Sequence, residues 1–141
     1  MPGVPWMEPD SAIYMDWYFV ENAAALEPLN QSVLHGRRKT DHDTVVQGTS
    51  GGVTALYQPK MGVNPIRLPK QISWLSKPKG MTYAAFFDEL NIINSDDHAS
   101  LWMRYLALGP GPEFCAVSSK AFEWDERFQP LVRPFEKIWG C

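Results

Sequence analysis

The run IYMDWYFV, residues 13–20, is dense in aromatic and β-branched side chains, which predicts a strand. Asn22 offers a cap, and Leu26, Leu29, Val33 and Leu34 then recur at helical spacing until Gly36 stops them. Pro28 either starts the regular part of that helix or bends it, because its ring removes a backbone donor. Residues 37–50 read as polar and turn-rich apart from TVVQ, and GVTALYQP, residues 52–59, predicts a second strand. Residues 60–80 carry prolines, lysines and apolar anchors at Ile72, Trp74 and Leu75 with no sustained period. A long covering loop is expected there, either a functional flap or a strap over a sheet edge. Thr82 caps a further helix with a stripe of Phe86, Phe87 and Leu90, and SLWMRYLAL and EFCAVSS predict two more strands. Phe128, Leu131, Val132, Phe135 and Trp139 fall at helical offsets and predict a closing helix, with Pro130 in its first turn and a break at Pro134.

Between the last two strands lies LALGPGPEFCAV, residues 106–117. A phosphate cradle needs several backbone N–H groups and then a helix N-terminus. Pro110 and Pro112 have no N–H to give and EFCAV opens a strand, so the glycine-rich centre is expected to be a corner. GTSGG at 48–52 receives the same reading, because a strand-like run follows it too.

Alternation places Ile13, Met15, Trp17 and Phe19 on one side of the first strand, with Tyr14, Asp16, Tyr18 and Val20 on the other. Both sides are largely apolar, and so are both sides of SLWMRYLAL. A few helices cover one face of an antiparallel sheet, so the other face calls for a second layer, and a second copy of the chain is the simplest one.

The order strand, helix, strand, helix, strand, strand, helix, with two-sided apolar strands in IYMDWYFV and SLWMRYLAL, resembles the ferredoxin-like subunits that pair sheet to sheet as dimeric α+β barrels. SLWMRYLALGPGPEFCAV leading into AFEWDERF is similar to the late hairpin and following helix of uncharacterised members of that superfamily. The resemblance implies an α+β fold: a ferredoxin-like antiparallel sheet with helices on one face, pairing as a dimeric α+β barrel. The superfamily includes small monooxygenases, haem-degrading enzymes and many members of unknown activity, so it implies no single function.

Length and composition fit one domain over residues 1–141, with a flexible N-terminus at 1–10. Thirteen Lys and Arg against sixteen Asp and Glu leave a net charge of −3, which argues against a sequence-independent nucleic-acid binder, and RRK at 37–39 is too short to reverse that. No run approaches a membrane span and MPGVPWMEPD lacks the pattern of a secretory leader, so a cytoplasmic protein is expected. Two cysteines make neither a disulfide framework nor a zinc spacing, and Cys115 is expected as core filling.

Asp16 and Arg104 interrupt apolar strand faces, and each charge there asks for a partner. They either pair with one another or line a cavity where Arg104 orients an anionic or carbonyl-bearing ligand, with Tyr14, Tyr18 and Trp102 as aromatic wall. His42 in DHD and His98 at the end of DDH are flanked by carboxylates, yet neither has the spacing of a helical metal pair, and His35 suits a helix C-terminus. Catalysis without a metal would rely on His42, Tyr18 or Asp16 as general base, as in a cofactor-free oxygenase or isomerase, while Arg104, Trp102 and Tyr14 would bind the ligand. No metal site and no particular cofactor is indicated. The other reading is a non-enzymatic homodimer whose apolar faces only make an interface.

Overall fold

In the computed structural model, which describes residues 3–7, 12–36, 38–49, 52–62, 69–95, 97–107, 110–134 and 136, five strands form one antiparallel sheet. The strands are β1 (Ala55–Gly62), β2 (Gln71–Leu75), β3 (Ala99–Ala107), β4 (Phe114–Ser118) and β5 (Leu131–Pro134), in the spatial order β1-β3-β4-β2-β5. Three α-helices complete the α+β fold: α1 (Leu26–Leu34), α2 (Lys39–Gln47) and α3 (Tyr83–Glu89). The chain divides into two compact units, residues 14–52 and the remainder, and the whole sheet with α3 belongs to the second.

Register decides which side chains share a face. Leu75 lies opposite Phe114, and Leu101 opposite Ala116, so these side chains point to one face together with Ser73, Ala99 and Met103. Helix α3 packs on that face: Phe86 meets Phe114 in a tilted pair at 4.6 Å and Phe128 edge-on at 5.4 Å, and Leu90 and Ile93 complete the core. The helix starts where expected, since the Thr82 hydroxyl accepts from the Ala85 amide at 3.1 Å.

The second face carries Ile72 and Trp74 opposite Val117 and Cys115, with Ser100 and Trp102 beside them on β3. All six are buried within the single chain. Part of their cover comes from residues 3–7, where Trp6 packs edge-on to Trp74 at 5.1 Å, Val4 is buried, and the Gly3 carbonyl accepts from Arg133 Nε at 2.8 Å. These six positions of β2, β3 and β4 are thus covered by the chain's own residues, whereas Leu106, further along β3 on the same face, is 54% exposed. Both Val4 and Trp6 fall within the span expected to be a flexible N-terminus.

Several elements differ from the sequence pattern. Residues 13–20 form no ladder, although burial still alternates from Ala12 to Tyr18, with Ile13, Met15 and Trp17 half-buried between exposed neighbours. Alternating apolarity shapes an extended segment, but membership of a sheet depends on which strand lies alongside, and that is not set by the segment's own composition. The polar segment 37–50 contains α2, held by the Lys39–Asp43 ion pair one turn apart. The supposed loop 60–80 contains β2, one of the most buried strands of the sheet, while residues 63–68 lie outside the described residues. Five residues between proline- and lysine-rich flanks are too short to show a period.

The expected closing helix is replaced by a 3-10 turn at Glu126–Phe128 and by β5. Two prolines four residues apart, Pro130 and Pro134, oppose a continuous helix and suit a short edge strand. The remaining two anchors of that pattern, Phe135 and Trp139, lie outside the described residues. Asn22 does cap as expected, on a short 3-10 turn that leads into α1, and Pro28 sits in the first turn of α1, where no helical bond is lost.

Candidate functional site

The predicted site residues fall into two groups. Asp16, Tyr14 and Tyr18 lie on the ladder-free segment and His42 on α2, all in the unit 14–52, whereas Trp102 and Arg104 lie on β3. Asp16 is exposed, so it is not the buried strand charge whose partner the sequence calls for. His42 is exposed as well, with Nδ1 3.7 Å from the carboxylate of its neighbour Asp43. Tyr14 and Tyr18 turn their rings to solvent.

On β3 the geometry is more specific. Arg104 and Trp102, two residues apart, share the second face of the sheet, and the β1–β3 register sets Tyr57 directly opposite Arg104. The Trp102 indole donates to Ser100 Oγ at 2.9 Å, which leaves its ring as an apolar wall. The Arg104 guanidinium donates to the Gly111 carbonyl, and the Tyr57 hydroxyl donates to the Pro112 carbonyl at 3.0 Å. Both side chains thus reach from the sheet face to the β3–β4 turn. The Gly-Pro corner has a physical identity: successive carbonyls held by donors from two different strands.

The acid on that turn faces elsewhere. Glu113 Oε1 accepts from the Tyr83 hydroxyl of α3 at 2.7 Å, while the Glu113 carbonyl accepts from the Arg104 backbone amide at 2.7 Å. The Glu113 carboxylate beside Tyr83 pushes that phenol's pKa upward. Among the described residues no carboxylate pairs with Arg104. A half-buried guanidinium with a neutral acceptor keeps its full charge and most of its five N–H donors for something else.

Burial pushes the Tyr57 phenol up to about 12, with the adjacent Cys115 thiol adding to the rise and the Arg104 charge opposing it. At neutral pH Tyr57 is therefore a hydrogen-bond donor and not a base. Burial also pushes the Cys115 thiol upward, so it stays protonated as core filling and is not an activated nucleophile. Among the described residues, no three of His, Cys, Asp or Glu stand together as metal ligands would.

Sequence reasoning singled out Arg104 and Trp102 but not Tyr57, the turn carbonyls or Tyr83. Tyr57 reads only as one more strand aromatic until the register is known, because which residue faces which across a sheet is not written in either strand alone. Among the described residues no helix is long and apolar enough to cross a membrane. No family model matches the chain, and neither does any curated protein or solved structure.

Proposed function

We propose that this chain is a cytoplasmic small-molecule-binding protein whose ligand carries an oxyanion taken up by Arg104. The observation that carries the reading is the guanidinium itself: half-buried on the second face of the sheet, held by a backbone carbonyl, with no carboxylate paired to it among the described residues. Charge-assisted hydrogen bonds are about twice as strong as neutral ones, so an anion gains more there than the Gly111 carbonyl does. Leu106 shares that face two residues further along β3 and is 54% exposed, which favours an apolar body behind the anionic group. Screening small organic acids by thermal shift tests the proposal. Hits should stabilise the native chain and lose their effect in Arg104→Leu, and a hit that stabilises both equally would assign the ligand elsewhere.

A second reading, a non-enzymatic homodimer, is favoured by a separate observation. Tyr14, Tyr18, Phe19, Val45 and Val46 are all exposed in the unit 14–52, and none of the described side chains of α1 and α2 is buried. Exposed apolar groups at that density mark an interaction surface.

A further inference from the structure

We infer that Arg104 and Tyr57 form a carboxylate-binding pair capped by the backbone of Gly111 and Pro112, which must be displaced for the ligand to enter. The inference rests on the reading of Arg104 as the oxyanion-binding residue and names the ligand class and the element that controls access.

Two donors of different chemistry converge on one short segment. Arg104 brings a permanent charge and Tyr57 a phenolic O–H, and their present acceptors are the carbonyls of consecutive residues, Gly111 and Pro112. A carboxylate presents two acceptor oxygens on one carbon, so it can replace both carbonyls at once and adds the charge that they lack. A phenol that stays protonated at neutral pH donates to such an anion and does not repel it. Gly111 is buried against this pair, and a methyl group in place of its hydrogen would stand 4.0 Å from the Tyr57 oxygen, so the turn lies directly over the donors.

The cap is fastened from the other side. The Tyr83 hydroxyl on α3 holds the Glu113 carboxylate at 2.7 Å, and the ammonium of Lys77 sits 5.2 Å from the centre of the Tyr83 ring. The carboxylate–phenol contact of this clasp is exposed and reaches neither the Arg104 guanidinium nor the Tyr57 hydroxyl, so it can be weakened without removing a donor. A ligand has to overcome the turn's own bonds before it gains its own. Binding to the native chain is therefore weaker than to a chain with a loosened turn, by the cost of the uncapping.

Benzoate, with neutral benzamide as control, is the probe, and the side-chain Nε–H resonance of Arg104 in the full-length 15N-labelled protein is the readout. That resonance is assigned by its loss in Arg104→Leu. Benzoate should move it, benzamide should not, and Tyr83→Phe should lower the half-saturating benzoate concentration at least about threefold. Glu113→Gln, which weakens the same clasp from its other end, should act in the same direction. Benzoate binding at Arg104 with an unchanged midpoint in both variants would overturn the cap while leaving Arg104 as a binding residue. No movement of the resonance in any of the proteins would overturn the carboxylate assignment together with the reading on which it rests.

Discussion

Tyr57 shows how one side chain couples burial, charge and position. Its phenol is largely buried opposite a guanidinium, and burial outweighs the guanidinium, leaving the pKa at about 12 against about 10 for a free phenol. A group whose pKa is raised on folding contributes its stability below the unfolded value and loses it as pH rises through the folded one. Native stability should therefore fall between pH 10 and pH 12 more steeply than in Tyr57→Phe. Urea denaturation at a series of alkaline pH values checks this, with a difference of no more than about 2 kcal/mol, because the ring is still partly reached by water. Identical slopes for the two proteins would mean that the phenol is better solvated than its surroundings indicate.

Among the elements, β1 depends on one backbone approach. Gly62 closes the strand at φ +78°, its amide donates to the Asn94 side chain at 3.1 Å, and a Cβ there would come within 2.1 Å of the Ala99 carbonyl oxygen. Ile93, a core residue, lies 2.9 Å from the same point. Gly62→Ala combines the positive-φ penalty with a clash against backbone that cannot move aside, so a loss of about 2 kcal/mol or more is expected from the denaturation midpoint. By contrast, Gly80 also has positive φ, at +83°, but nothing within 4 Å, so its alanine variant suffers the conformational penalty alone and should be the milder of the two. The β1–β3 pairing is further irregular at Leu56/Tyr57 and at Pro59/Met61, and the first of these shifts sits immediately before the residue that faces Arg104. A helix-period or strand-period count along β1 would not have located it.

At the scale of the whole chain, the two compact units differ in what they bury. The sheet unit contains the aromatic core around Phe86, Phe114 and Phe128, whereas α1 and α2 of the unit 14–52 have no buried side chain among those described and Phe19 is 59% exposed. If self-association is a property of this protein, it resides in those exposed side chains. Sedimentation at micromolar concentration should show a dimer, weakened at least about tenfold by Phe19→Asp or Val45→Asp and unaffected by Lys79→Asp. A native chain that sediments as a monomer, or a dimer indifferent to both unit 14–52 variants, would remove the homodimer reading.

The amino-acid pattern alone determined the α+β class, the caps at Asn22 and Thr82, the β3–β4 hairpin with its Gly-Pro corner, and Cys115 as core filling. Each of these depends on contacts within a few residues or on the plain cost of burying or exposing one side chain. Only the tertiary structure decided that 71–75 is a central strand, that 131–134 is an edge strand in place of a helix, and that 13–20 has no ladder. It alone set Tyr57 against Arg104 and turned Glu113 toward Tyr83. The physical reason is the same in each case: a strand's state, its register and the partner of a charge are fixed by residues tens of positions away, 47 between Tyr57 and Arg104 by their numbers, and the free energy that selects them belongs to neither segment by itself.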